Sequence, residues 1–238
     1  WKLLALKILY KYMLIFINNI LELFNNPIII VYFITSFIIG SIPFGLILSN
    51  ISGYGDIRKI GSGNIGATNV LRTGNKFLAI VTLILDVSKS FIMLYIVKTN
   101  FETVLEEELL VYLYISIAIL SLLGHMFSPF ILFKGGKGIA TSAGILFFIN
   151  WLGALIVLFI WLIAAIKYKT SSIGALTASF FAPIIFWFLY KINFNNNLFY
   201  GLNISILEFY LVFIISILIY LKHIPNIKRL ILGNESKI

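Results

Sequence analysis

The chain of 238 residues contains no cysteine. Thiolate catalysis, disulfides and Cys-ligated metals are thereby excluded. Carboxylates are scarce: Asp and Glu together number 9 against 18 Lys and Arg, and the two aspartates, Asp56 and Asp86, stand thirty residues apart. Phosphotransfer that depends on clustered aspartates has no ligand set here, because oxygen-ligand metal sites need carboxylates or carbonyls in number. Five residues after His125 is Phe130, and five after His223 is Lys228. The His-x4-Asp dyad that activates a hydroxyl in one kind of acyl transfer is therefore missing, and no metal or cofactor is expected.

Hydrophobicity is what the chain has in excess: 61% of residues are hydrophobic, 11% are charged, and the mean hydropathy is +1.04. Such a composition predicts an integral membrane protein. The net charge of +9 sits in short loops between apolar runs, a pattern of membrane topology and anionic ligands, so no nucleic-acid partner is expected.

Residues 1–26 read as an extension that begins with Trp and not Met, which leaves truncation or processing ahead of it open. On a helical plot Lys7, Lys11, Asn18, Glu22 and Asn25 share one narrow face, as in an interfacial amphipathic helix. No small-residue cleavage pattern follows, which argues against a cleaved signal. Residues 27–230 read as the membrane unit and 231–238 as a short cytoplasmic tail. A first span over 28–50 would rise about 34 Å, with Pro43 kinking it. The span over 77–97 carries Asp86 and Lys89 on one face, able to neutralise each other. A third span over 109–133 follows a Glu-rich loop expected outside.

Residues 142–166 look like one more span, yet a full crossing would put Lys167, Lys169 and the basic C-terminal segment outside if the glycine-rich loops are cytoplasmic. Asn150, Trp151 and Gly153 interrupt the run. Two short helices, 141–150 and 151–166, are therefore expected to enter and return on the cytoplasmic side, with irregular backbone facing a cleft. Helices over 172–190 and 204–221, joined by an uncharged outer loop at 193–203, complete an all-α class. It has about seven membrane helices, five long and two short, besides the N-terminal amphipathic helix.

Polarity is concentrated in four segments. The first, KIGSGNIGATNVLRTGNK at 59–76, carries Gly61, Gly63 and Gly66, whose backbone N–H groups can form an anion nest. Arg72 and Lys59 add charge, and Ser62, Thr68 and Asn69 add neutral donors, so a phosphate is the natural guest. The literal GxGxxG with Asp86 twenty residues on is not a dinucleotide fingerprint, because Asp86 lies in a long apolar run where a short soluble strand is required. The second, at 124–141, places Lys134 and Lys137 among Gly135, Gly136 and Gly138. It is not a Walker A loop, since Gly138 stands where Ser or Thr must bind Mg²⁺. His125 in this segment reads first as a structural residue at a helix end, with substrate contact as the lesser alternative. The third is KYKTSSIGA at 167–175, where Ser171 is a candidate helix cap and Ser172 is no evidence of a nucleophile. The fourth, LKHIPNIKRL at 221–230, sets His223, Asn226 and Arg229 at three-residue spacing.

GSGNIGATNVLR, GHMFSPFILFKGGKGIAT, SSIGA and HIPNIKRL, in this order, resemble the signature segments of bacterial PlsY-type acyl-phosphate:glycerol-3-phosphate acyltransferases. Ile65, Ser90 and Ile139 depart from commoner Pro, Gly and Val, and none of these changes removes a charged or hydroxyl group. The resemblance implies a bacterial plasma-membrane enzyme with a cytoplasm-facing site. It would transfer a fatty acyl group from acyl phosphate to the 1-hydroxyl of glycerol 3-phosphate, giving lysophosphatidic acid and phosphate. It also assigns Ser62 and Arg72 to the catalytic centre, and Lys134, Lys137, His223 and Asn226 to phosphate binding and orientation. Gly61, Gly63, Asn64, Gly66, Thr68, Asn69, Gly135, Gly136, Gly138, Ser171, Ser172 and Arg229 complete the expected substrate-binding set. An acyl phosphate is already activated, so positioning and charge screening suffice without an acyl-enzyme. The general base is left between His223 and a substrate phosphate oxygen. The competing class is a small-anion transporter, since broken helices and cationic loops also build transport sites.

Overall fold

The computed structural model describes residues 2–192 and 203–238, with side chains from Tyr10 onward except Tyr12. Among the described residues the ordered elements are all helical. They are α1 (Lys2–Phe24), α2 (Pro27–Ser41), α3 (Phe44–Ile51), α4 (Ala67–Leu71), α5 (Lys76–Phe101), α6 (Glu107–Met126), α7 (Ile139–Ile149), α8 (Trp151–Tyr168), α9 (Ser171–Ile192), α10 (Ile206–Lys222) and α11 (Ile224–Ile231), with short 3-10 turns at Ile57–Lys59 and Pro129–Ile131. By length and composition α5, α6, α8 and α9 can each cross a membrane, and up to six spans result if each of two bent helix pairs counts as one.

Local chemistry sets the helix starts. Asn26 accepts from Ile28 N ahead of Pro27, Asn75 accepts from Leu78 N, and Ser205 and Glu208 form a reciprocal capping box. Pro43 does more than kink the first expected span. It ends α2 at Ser41, and α3 resumes at Phe44, because proline removes a backbone donor and its ring clashes with the preceding turn. The third expected span ends at Met126, short of residue 133, where Pro129 initiates a separate 3-10 turn.

Where apolar side chains meet apolar lipid, helices associate by close packing and hydrogen bonds. α2 and α6 show this best. A Cβ on Gly40 would overlap the Ser121 backbone, and one on Gly124 would overlap the Phe37 carbonyl. Ser36 Oγ donates to Ile117 O at 2.9 Å, and Ser128 Oγ donates to Ser41 O at 2.6 Å. Large apolar side chains such as Ile34, Ile84, Phe159 and Phe188 face outward, as a lipid-facing surface requires.

α1 turns away from α2 by 98° and lies at one end of the bundle, where Phe16 meets Tyr112 and Phe24 meets Phe33 edge-on. Lys7, placed on its polar face from sequence, falls outside the residues whose side chains are described, as residues 193–202 of the expected outer loop fall outside the described chain. α7 runs toward the α1 end, where Phe148 touches Tyr114 at 5.1 Å between ring centroids, and α8 brings the chain back so that Ser171 meets Thr68. Asn150 makes the turn and caps α8 through Gly153 N. The returning arm is longer than expected: α8 has 18 residues, about 27 Å of rise. The pair starts and ends at the Thr68 end of the bundle, with Gly138 against Leu122 and Met126, but of the two α8 alone is long and apolar enough to cross a membrane.

Candidate active site

A cleft of about 460 Å³ opens at the end of the bundle opposite α1, where all four polar segments meet. Ser62, Arg72, Lys137, Ser172, His223 and Asn226 are among the residues lining it.

Asn69, in α4, organises the first segment. Its Nδ2 donates to Ile57 O at 2.7 Å and Asn64 O at 2.8 Å, while its Oδ1 accepts from Ser62 N and from Arg72 Nη1, both at 3.2 Å. The side chain is 1% exposed. Asn69 therefore lines the cleft chiefly as the hub that aims Ser62 and Arg72. Gly61 has φ of 55°, and any Cβ there would overlap the Arg72 guanidinium, so glycine is required for conformation and for room.

In the second segment Gly136 N donates to His125 O at 3.0 Å, folding the loop back onto the end of α6. Lys137 projects into the cleft, whereas Lys134 is exposed and lies outside its lining. Lys59 is exposed as well. Burial pushes the Lys137 ammonium down to about 8, with Glu235 opposing and the nearby Arg229 and Arg72 reinforcing the shift. Ser171 begins α9 and does not cap it by a described bond. Its hydroxyl shares a 3.2 Å hydrogen bond with Thr68, joining the third segment to the first.

α11 presents Asn226 and Arg229 on one side, as their spacing requires. Asn226 Nδ2 donates to Glu235 Oε1 at 2.6 Å, and Arg229 Nε donates to Glu235 Oε2 at 2.7 Å. Burial disfavours the Glu235 charge, but these donors together outweigh it and hold the carboxyl below its usual range. His223 Nδ1 lies 2.8 Å from Ile219 O. A carbonyl only accepts, so Nδ1 carries the proton and Nε2 keeps its lone pair.

Of the expected residues, Gly61, Gly63, Lys134, Gly135, Gly136 and Arg229 support the cleft from behind or lie beside it, while Ser62, Asn64, Gly66, Thr68, Asn69, Arg72, Lys137, Gly138, Ser171, Ser172, His223 and Asn226 line it. Sequence reasoning missed Glu235 and Ser236. Residues 231–238, expected as a plain tail, fold back so that Arg72 Nη2 donates to Ser236 Oγ at 2.8 Å and Lys237 O at 3.0 Å. The available signal was Glu235 itself, a lone carboxylate after the cations Lys222, Lys228 and Arg229. Asp86 and His125 also reach the lining.

A second cavity, about 120 Å³ and apolar, runs between α5, α7, α8, α9 and α10. It shares Leu83, Ile139, Ala140, Trp161 and Ala175 with the polar cleft. One site thus offers cationic and hydroxyl groups at its mouth and a hydrocarbon-like wall behind.

A family model described as glycerol-3-phosphate acyltransferase matches residues 30–233. The glycerol-3-phosphate acyltransferase of Wolbachia pipientis subsp. Culex pipiens is 42% identical over 205 residues, covering 86% of this chain and 95% of the relative. That of Mesorhizobium japonicum is 41% identical over 213 residues, 88% of this chain and 96% of the relative. Crystal structures of PlsY (YgiH), an integral membrane glycerol 3-phosphate acyltransferase, in its glycerol 3-phosphate and lysophosphatidic acid forms, superpose with TM-scores of 0.73 and 0.71. Each has 30% identity and covers 88% of this chain and 95% of the crystallised one.

Proposed function

The chain belongs to the glycerol-3-phosphate acyltransferase family, and from that premise we propose that its acyl donor is acyl phosphate and that the cleft residues divide the work as follows. The protein is a multi-pass membrane acyltransferase acting on glycerol 3-phosphate; the transporter alternative is not favoured. Lys137 and Arg72 neutralise the two phosphates, and Ser62, held by Asn69, donates to whichever oxygen gains charge. The acyl chain lies along the apolar cavity behind Trp161 and Ala175. The 1-hydroxyl oxygen attacks the acyl carbonyl carbon, a new ester C–O bond forms, and the bond to the phosphate oxygen breaks. Phosphate leaves with that electron pair. The hydroxyl proton passes to His223 Nε2, the free lone pair in the cleft, or to the departing phosphate.

The observation that carries this reading is the shared wall between a cationic cleft and an apolar cavity, which suits one substrate with a phosphate head and a hydrocarbon tail. A cytoplasm-facing cleft in the bacterial plasma membrane and an interfacial α1 complete the proposal, supported by the cationic loops at the cleft end and by the 98° turn of α1. The division into an extension at 1–26, a membrane unit at 27–230 and a tail at 231–238 is kept, except that the tail functions as part of the cleft. Purified protein given radiolabelled glycerol 3-phosphate should form lysophosphatidic acid with acyl phosphate and only poorly with acyl-CoA. Equal turnover with acyl-CoA would reject the donor.

A further inference from the structure

Lys89 stands in the middle of α5 with its side chain 1% exposed. Its Nζ lies 3.0 Å from Asp86 Oδ1, 2.8 Å from His125 Nδ1 and 3.2 Å from Ile42 O, the carbonyl at the break between α2 and α3. An ammonium has three N–H donors and no acceptor. Two of them serve Ile42 O and His125 Nδ1, Asp86 is paired by charge, and the Phe44 ring covers the same group at 5.6 Å.

The contact with His125 fixes that ring's chemistry. Nδ1 has to accept from the ammonium, so the neutral imidazole carries its proton on Nε2. His223, the other of two histidines, is fixed the opposite way by Ile219 O. Nε2 of His125 lies against Gly136, where a Cβ would overlap it, and the carbonyl of His125 accepts from Gly136 N. Ring and backbone of one residue thus hold the Gly135–Gly136 turn, immediately ahead of Lys137.

We propose that Lys89 and His125 are positioning residues for acyl transfer: Lys89, neutralised by Asp86, locks His125 as the Nε2–H imidazole, and His125 seats the turn that presents Lys137 to the phosphate of glycerol 3-phosphate. This rests on the role given to Lys137 above. A buried ion pair that served stability alone would be replaceable by apolar side chains at little cost. Apolar replacements cannot supply the donor to Nδ1, so the two roles separate in the Asp86→Leu/Lys89→Met double variant, which leaves no uncompensated charge.

The test uses the full chain in nanodiscs with ¹⁵N-labelled histidine. Wild type should show one ring with an unprotonated Nδ1, absent from His125→Gln, and one with an unprotonated Nε2, absent from His223→Asn. In the double variant His125 should lose its single-tautomer signature and KM for glycerol 3-phosphate should rise about tenfold, or ~1.4 kcal/mol, with kcat changing much less. A protonated Nδ1 on His125 in wild type overturns the proposal, as does an unchanged KM in a well-inserted double variant. If that variant fails to insert, the wild-type tautomer decides. The tautomer readout needs no turnover, so a chain that did not acylate glycerol 3-phosphate would count against the functional reading and leave the lock separately measurable.

Discussion

Lys137 gives the sharpest quantitative expectation. Its ammonium is pushed down to about 8, first by burial and then by Arg229 and Arg72, with Glu235 acting against them, and His223 also faces it. A lowered lysine pKa means that the charge is present below about pH 8 and lost above it. A phosphate monoester with a second pKa near 6 is already a dianion from about pH 7 upward, so on the alkaline side the titrating partner is the enzyme. With glycerol 3-phosphate varied at saturating donor, kcat/KM should be flat to about pH 7.5 and then fall about tenfold per pH unit, because it reports the free enzyme. In the complex the bound dianion favours the ammonium and moves the same limb upward, so kcat should persist to higher pH than kcat/KM. Lys137→Arg keeps the charge across the range and should abolish the limb even if it lowers the plateau. A limb that stays in place in Lys137→Arg, or a flat wild-type profile through about pH 9.5, would refute the assignment of phosphate charge to this residue.

Arg72→Lys retains the cation and removes the guanidinium fork that Asn69 Oδ1 and the tail orient; a correctly inserted variant should lose at least about tenfold in kcat/KM, roughly 1.4 kcal/mol, and near-wild-type kinetics would reduce Arg72 to a topology signal. Gly45→Ala would drive a methyl group into the Ile65 carbonyl, displacing the first segment from α3, so thermal unfolding should come at lower temperature and activity should fall together; an unperturbed melt would contradict the packing. Ala178, 6% exposed on the apolar cavity wall, should on change to Leu shift preference toward shorter acyl donors, at about 1–3 kcal/mol of overpacking cost; an unchanged chain-length profile would place the acyl chain elsewhere. A single cysteine at position 168 in this Cys-free chain should be labelled only from the cytoplasmic side, and labelling only from outside would invert the proposed orientation.

What sequence could disclose here divides along local and non-local lines. Apolar length, Asn and Ser caps, and proline breaks are local, so most helices lie within a few residues of their expected bounds, with Pro43 stronger than a kink because the Ser41 and Ile42 carbonyls at the break find donors in Ser128 and Lys89. The return of α8 was legible through Lys167 and Lys169, whose charges report on topology. Its length was not, because nothing in residues 134–138 says that the loop enters the bundle before α7 begins. The polar segments were visible as polarity inside an apolar chain. Which of their side chains face inward depends on contacts across the fold: Asn69 is a hub because Ile57 and Asn64 carbonyls converge on it, Ser171 meets Thr68 from another segment, and Glu235 enters only because Asn226 and Arg229 wait on α11.

The clasp between Arg72 and the tail has a consequence for how the enzyme comes into being. Arg72 and Ser236 are 164 residues apart along the chain, roughly 8–33 s of synthesis at about 5–20 residues per second. Through that interval the first segment is already made, yet Arg72 lacks its Ser236 and Lys237 contacts, and Asn226 and His223 do not exist. A nascent chain therefore carries a cationic half-site without His223 and without the tail segment that meets Arg72. On the proposed division of roles, the cleft is assembled only once α11 and the residues through Lys237 have been delivered, so the site is among the last parts of this fold to form.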